Sequence, residues 1–289
     1  MEESPDPGEA FASAESGPRQ PQALIVSLFA LYGRRPPVAI PVSAIVRLLT
    51  DVGVDAAATR SALMRLKRAG VLLSVRDAGA GYRLDPSLED VFQEGDERIF
   101  APRRSEPDDP WVLVSITVPE SQRNLRYRLR RILSQRGFGS IGAGLWIAPG
   151  TAIDHLRREL QREGLDEFAE FFVGQPLGGA SAERVRTWWD VPALEATYAG
   201  FIAQFEPLRD RWETDSAITA RQAFATYLTA VTAWRRLPFS DPGIPLAYLP
   251  AQWQGRTAET LFAALHARLS GPSRRYVAAV ITGTEPARP

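Results

Sequence analysis

Residues 24–84 constrain the fold of this chain more than any other part of the sequence. Apolar residues recur there at helical spacing in three successive blocks, and a glycine closes each block. Asp55 precedes the third block, at the position of a helix N-cap. Two short β-rich segments follow within residues 71–84, around a glycine-containing turn. Three helices followed by a hairpin predict a winged helix-turn-helix domain, which we assign to residues 19–88.

The third helix of this block holds most of the residues that we predict to contact DNA. The chain as a whole is neutral, with 34 basic and 34 acidic residues, but residues 55–76 contain five basic residues and one acid. A recognition helix reads base edges near its N-terminus and binds phosphates further along. The alternative is the solvated basic face of an ordinary amphipathic helix. The predicted DNA-binding residues are Thr59, Arg60, Ser61, Arg65, Lys67, Arg68, Arg76, Tyr82 and Arg83.

The middle of the chain predicts a second, mixed domain. A β-branched strand begins at Trp111, and an arginine-rich helix, a strand at residues 145–148, a further helix and a last strand near residues 168–173 follow it. This β-α-β-α-β series predicts a small ferredoxin-like α+β domain over residues 110–178. The acidic, proline-containing stretch 89–109 in front of it is predicted to be a linker.

The remainder of the chain is helical and rich in aromatic residues, which predicts a mostly helical C-terminal domain over residues 179–275. Its last helix is expected at residues 256–269. Residues 1–18 and 276–289 are expected to be tails, the first of them disordered because it is acidic and rich in proline and serine. The fold class is therefore α+β, in several domains.

Several classes of protein are excluded by composition. Cysteine is absent, which rules out disulfides, a thiolate nucleophile and cysteine-ligated metal sites. The two histidines lie far apart in sequence and outside any metal-binding motif, so no metal or other cofactor is expected. No apolar run approaches the roughly 18 residues that span a bilayer. The N-terminus is unlike a signal peptide, and we expect a cytoplasmic protein without membrane contact.

Residues 137–142 form a literal G-x-G-x-x-G pattern. A dinucleotide site needs a strand before this pattern and a helix after it, so that the helix N-terminus meets the pyrophosphate. Here a predicted helix precedes the glycines and a predicted strand follows them, which indicates a glycine-rich turn instead. No catalytic residue is predicted, and we do not expect the chain to be an enzyme.

Several segments resemble known regulators. Residues 53–70 resemble the recognition helix of GntR-type winged helices, with Arg60 on that family's helix arginine and Ala56 where an arginine often stands. The segments W111-VLVSITVPE, R126-YRLR and G144-LWIAP, and later L237-PFSDPGIPLAYLPAQWQG, are similar in the same order to PaaX-type repressors of phenylacetate catabolism. The resemblance extends over roughly residues 20–270.

The resemblance implies a repressor of an aromatic-acid catabolic operon that binds double-stranded operator DNA and is released by an aryl-CoA thioester such as phenylacetyl-CoA. A homodimer is also expected, since one winged helix buries only roughly 600–1,000 Å² on DNA. Two alternatives remain open at this point. One is a nucleic-acid-processing enzyme that acts through the central domain, and the other is a helical scaffold that binds only protein.

An acyl-CoA effector joins a polyanionic nucleotide to an apolar group, so its site needs arginines beside aromatic rings. The candidate effector-binding residues are Arg126, Arg130, Trp146, Arg184, Arg186, Trp188 and Trp189. The arginine run at residues 123–136 has three interpretations: a second DNA-backbone surface, a site for ligand phosphates, or a solvated face paired with the acidic linker.

Overall fold

A computed structural model describes most of the chain. The described residues are 21–34, 38–76, 80–150, 153–175, 181–214 and 218–284. The tail predicted at residues 1–18 lies outside them. The chain divides into two compact units, each built from separate stretches of sequence. The first comprises the residues up to 93, residues 201–234 and the residues from 258 onward, and the second comprises residues 94–200 and 235–257.

The first unit begins with three helices and a small sheet. These elements are α1 (Pro21–Tyr32), β1 (Ile40–Pro41), α2 (Val42–Asp51), α3 (Ala56–Arg68), β2 (Leu72–Val75) and β3 (Gly81–Leu84). The strands form an antiparallel sheet in the order β1-β3-β2. Helix α3 begins where the Asp55 carboxylate accepts the backbone N–H of Ala58 at 2.8 Å, and Gly70 follows its end with a φ of 72°.

The core of the first unit draws on residues from both ends of the chain. Helix α1 is apolar on nearly all faces, and its residues from Ala23 to Phe29 are all buried, as expected of a helix enclosed by others. Around it pack residues of α9 (Ala220–Trp234) and α11 (Gln254–Thr282). These late helices contribute Phe224, Leu228, Tyr276, Val277 and Val280 to the same buried cluster.

The last helix is longer than the sequence predicted. It continues from the expected residues 256–269 to Thr282, through Pro272. The buried residues Leu269, Ser273 and Tyr276 maintain helical spacing across the proline. Core packing along this face outweighs the hydrogen bond that the proline removes. The predicted tail from residue 276 is therefore helical as far as Thr282.

The second unit contains a four-stranded antiparallel sheet with helices between its strands. Its elements are β4 (Trp111–Ile116), α5 (Arg123–Gln135), β5 (Gly139–Gly142), β6 (Leu145–Pro149), α6 (Ile153–Arg162) and β7 (Ala169–Gly174). The strand order is β5-β6-β4-β7. Residues of α5 and α6 pack on one face of this sheet in a shared core that includes Leu129, Leu133, Leu156 and Leu160.

Strand β5 was not predicted from the sequence, because Gly139–Gly142 was expected to be part of a glycine-rich turn. Glycine gives no β-branched signal, and the strand is irregular between Ser140 and Gly142. Gly139 is required by a close approach, because a Cβ there would lie 2.6 Å from the Trp188 carbonyl oxygen.

The remaining helices are α4 (Glu89–Phe100), α7 (Ala182–Arg186), α8 (Val191–Thr214) and α10 (Leu237–Ser240). The first twelve residues of the predicted linker 89–109 thus form a helix, and the division between the units falls inside that helix. The mixed helix and sheet content and the helical C-terminal region, both predicted from the sequence, are confirmed.

Candidate nucleic-acid interface

Helix α3 presents a basic face to solvent. Its buried side consists of Thr59, Ala62, Leu63 and Leu66. Six of its exposed residues form what we call the α3 face: Arg60, Ser61, Met64, Arg65, Lys67 and Arg68. This division follows from the helical period, since the buried positions recur at intervals of three or four residues.

Among the residues that the structure describes, no acidic side chain pairs with the four cations of the α3 face. The nearest acid in sequence, Asp55, has its carboxylate engaged as the helix N-cap. The Arg65 side chain donates from Nη1 to the Ser61 hydroxyl at 3.2 Å, which orients the guanidinium along the helix. An exposed cluster of unpaired cations on one helix suits a polyanionic partner.

One of the predicted DNA-binding residues does not belong to this face. Thr59 is completely buried, and its hydroxyl donates to the Asp55 carbonyl oxygen at 2.9 Å. The threonine therefore stabilises the first turn of α3 and is not accessible to a base edge in this structure. Thr59 stands three and four residues before the buried Ala62 and Leu63, so the helical period places it on the apolar side.

The β2–β3 hairpin supplies the other predicted DNA contacts. Arg76 follows β2, Arg83 lies on β3, and both side chains are exposed. Tyr82 is half-buried and packs against the core of the first unit, so its ring anchors the hairpin. Gly79, in the predicted turn, lies outside the described residues.

The structure does not bring together the first group of candidate effector residues. Trp146 is buried in the core between the sheet and α5, whereas Arg130 is exposed on the outer side of that helix. Arg126 donates from Nη2 to the Val118 carbonyl oxygen at 2.9 Å and to the Glu120 carboxylate at 3.4 Å.

The second group of candidate effector residues lies at an aromatic cluster. The ring of Trp111 contacts those of Trp188, Trp189 and Tyr248, with centroid separations of 5.7 to 6.1 Å. Trp189 donates from Nε1 to the Gly137 carbonyl oxygen at 2.8 Å. Both candidate tryptophans are thus fixed by packing and are half-buried.

Two exposed arginines precede Trp188 and Trp189 in sequence. Arg186 donates from Nε to the Tyr248 carbonyl oxygen at 2.8 Å, and Arg184 lies two residues before it on the short helix α7. This group therefore places an arginine beside partly accessible aromatic rings, which the first group does not.

Several arginines of the run on α5 pair with acids outside the predicted linker. Arg128 pairs with Glu163 and Arg136 with Glu159, both at or next to helix α6. Arg123 pairs with Glu120 at 3.0 Å. A hydrogen bond from Arg123 is the main reason why the pKa of the Glu120 carboxyl lies below its usual value, and a hydrogen bond from Arg126 lowers it further.

One group of interacting residues was not anticipated from the sequence. Asp51, at the end of α2, accepts a hydrogen bond from the Tyr276 hydroxyl at 2.5 Å and pairs with Arg221 Nε at 2.7 Å. Arg221 lies 170 residues and Tyr276 lies 225 residues after Asp51 in the sequence, so no local pattern links them to it.

The part of the chain that the structure describes contains no cluster of histidine and acidic residues suited to a metal ion. His266 instead lies with Nδ1 2.7 Å from the Tyr227 hydroxyl, and burial lowers the pKa of its imidazole. Among the same residues, no helix has the length and apolar character needed to cross a bilayer.

Comparison with known proteins gives a consistent result along the chain. Three family models match successive segments: a PaaX-like protein at residues 20–87, the PaaX protein central Cas2-like domain at residues 104–185, and the PaaX-like protein C-terminal domain at residues 189–279. The transcriptional repressor PaaX of Escherichia coli (strain K12) is 26% identical over 239 residues, which cover 80% of this chain and 74% of the relative.

A solved structure is also similar. The uncharacterized protein Rv0674 from Mycobacterium tuberculosis superposes with a TM-score of 0.57 at 22% identity, and the match covers 89% of this chain and 98% of that one. At this level of identity the likeness concerns the fold.

Proposed function

Because this chain belongs to the PaaX family, we propose that it is a DNA-binding transcriptional repressor of an aromatic-acid catabolic operon. The observation that carries the proposal is the α3 face, on which four exposed cations have no ion-pair partner among the described residues. Phosphate and base contacts both require such a surface. The protein acts on DNA in the cytoplasm and performs no catalysis.

Helices α1 to α3 and the β2–β3 hairpin form a winged helix-turn-helix in this proposal. The second turn of α3 places Arg60 and Ser61 at base edges, while Lys67 and Arg68 bind phosphates about two turns later. The hairpin acts as the wing, and Arg76 and Arg83 contact the DNA backbone. The order of these elements along the chain supports the assignment.

The effector in this proposal is an aryl-CoA thioester. The aromatic cluster with Arg184 and Arg186 is the better supported candidate site, since it combines arginine with accessible aromatic rings. The thioester must prefer the state that does not bind DNA, because a ligand with equal affinity for both states shifts nothing. The central domain, ferredoxin-like in this proposal, mediates pairing into a homodimer.

The proposal is tested by mapping the bound sites of the wild-type protein across the genome and then measuring its affinity for a recovered operator fragment. We expect the Arg60→Ala/Arg65→Ala double variant to lose operator binding. The matched control is Arg211→Ala, which removes an exposed arginine from α8 in the same unit. Equal affinity of the double variant and the control would contradict the assignment of α3.

The effector is tested on the same fragment with phenylacetyl-CoA, other acyl-CoA thioesters, free CoA and phenylacetate. We expect a thioester to weaken operator binding and the free acid to leave it unchanged, since the acid lacks the phosphates. If no thioester changes the affinity, the effector is wrong and the DNA-binding proposal stands. Mg²⁺-dependent cleavage of DNA without operator binding would instead favour a nucleic-acid-processing enzyme.

A further inference from the structure

Helix α5 of the second unit has an exposed stripe of polar and basic residues. Arg123, Tyr127, Arg130, Arg131 and Ser134 are all exposed, and together they form what we call the α5 outer face. With about 100° of rotation per residue, these five positions lie within roughly one third of the helix circumference. The stripe runs about 16 Å along the helix, at 1.5 Å per residue.

The opposite side of the helix holds it in the domain. Leu129, Ile132 and Leu133 are buried in the core of the second unit. Tyr127, in contrast, is 72% exposed, an unusual state for a large aromatic side chain whose burial would be favourable. The outer face can therefore be altered without touching the core.

The arginines of this helix differ in their ion pairs. Arg126 and Arg128 lie to either side of the stripe and pair with Glu120 and Glu163. On the stripe itself, Arg123 pairs with Glu120, but both side chains are largely exposed, so this pair is weak. Arg130 forms no ion pair within the described part of the chain. The helix has no acidic residue of its own.

The chemistry of the α5 outer face fits a nucleic-acid backbone better than a protein or a small ligand. Arginine, tyrosine and serine are among the side chains that donate to phosphate oxygens in protein–DNA complexes. A protein interface needs an apolar centre depleted of charge, and here a single ring stands among arginines. A small ligand needs a concave pocket, whereas this stripe is the convex surface of one helix.

We infer that the α5 outer face binds the phosphate backbone of DNA, as a contact separate from α3. Arg130 and Arg123 neutralise phosphates, and the Tyr127 hydroxyl donates a hydrogen bond to a phosphate oxygen. The contact adds affinity without sequence preference, since phosphates carry no base information. The inference rests on the proposed function, because it takes DNA as the partner of this chain.

The test uses the full-length protein, an operator fragment recovered by site mapping and a duplex of unrelated sequence, each titrated over a range of salt concentrations. The variants are Arg130→Ala and Tyr127→Phe. The matched control is Arg162→Ala, which removes an exposed arginine from α6 in the same unit. All three side chains are exposed, and thermal unfolding checks that each variant is folded.

We expect Arg130→Ala to weaken binding to both duplexes by the same factor and to reduce the slope of log K against log salt by about 0.9, the value for one lost phosphate contact. Tyr127→Phe should weaken binding to both duplexes and leave the slope unchanged, because it removes a donor and no charge. Arg162→Ala should match the wild type.

If Arg130→Ala behaves like Arg162→Ala while the Arg60→Ala/Arg65→Ala variant loses the operator, the inference is overturned and the proposed function stands. The inference is also overturned if Arg130→Ala leaves DNA affinity unchanged and abolishes the response to an acyl-CoA, which would assign the face to ligand phosphates. Failure of the wild-type protein to bind either duplex would instead reject the proposed function.

Discussion

Single residues on the α3 face differ in what they can recognise. Arg60 lies in the first half of the helix and Lys67 near its end, and both side chains are exposed. We expect Arg60→Ala to cost about 1–3 kcal/mol of operator binding and to relax specificity at the contacted base pair. Lys67→Ala should weaken all duplexes alike and flatten the salt dependence, since it removes a phosphate contact.

These two outcomes are separated by competition between the operator, single-base variants of it and an unrelated duplex. Equal losses on every duplex for Arg60→Ala would place this residue at the backbone. The buried Thr59 offers a contrast, because Thr59→Val keeps its shape and removes only the hydroxyl that bonds Asp55. We expect that change to leave base preference intact.

At the scale of elements, helix α2 is tied to the late helices by one carboxylate. Asp51 has only 7% of its side chain exposed and accepts from the Tyr276 hydroxyl while pairing with Arg221. Hydrogen bonds to charged groups contribute about 1.5–3 kcal/mol. We expect Tyr276→Phe to lower the free energy of unfolding by an amount in this range, as measured by urea unfolding at neutral pH.

The same contact makes the free energy of unfolding depend on pH in the alkaline range. Burial, together with the hydrogen bond and the negative charge of Asp51, raises the pKa of Tyr276 to about 12, from an unfolded value of about 10. A raised pKa stabilises the folded protein below pH 10, and this stability is lost as the pH rises from 10 to 12. The difference in unfolding free energy between the wild type and Tyr276→Phe should therefore shrink over that interval, and a constant difference would contradict this account.

At the scale of the whole molecule, the first unit requires the end of the chain. Tyr276, Val277 and Val280 are at least 93% buried in the same cluster as α1. A chain that ends after Pro272 loses these side chains and exposes apolar surface, at about 25 cal/mol for each Å². We expect this truncation to lower the midpoint of thermal unfolding and to abolish operator binding, whereas a chain that ends after Thr284 should retain both. An unchanged midpoint would mean that the core is complete without the last helix.

At the same scale, we expect two chains to pair. A single winged helix buries too little surface for operator-grade specificity, and a two-fold dimer would pair with a nearly palindromic site. We expect light scattering to give the mass of a dimer at micromolar concentration, both free and on the operator. A monomer in both states would refute the dimer.

The sequence by itself determined the features that depend on near neighbours. The Asp55 cap, the glycine stops, the exposed cations of α3 and the apolar face of α5 follow from spacings of two to four residues. The mixed architecture and the family motifs rest on the same local patterns. The predicted helices and strands formed for this reason. Strand β5, built on glycine, gave no such signal and was not predicted.

Only the tertiary structure decided which distant elements share a core. It placed α9 and α11 against α1, joined Asp51 to residues near the C-terminus, and put Trp146 beneath α5 rather than beside Arg130. It also carried the last helix through Pro272, because buried side chains beyond the proline stabilise it. These outcomes depend on contacts between residues that local periodicity does not relate, since the period of a helix fixes which face is apolar and leaves open what covers that face.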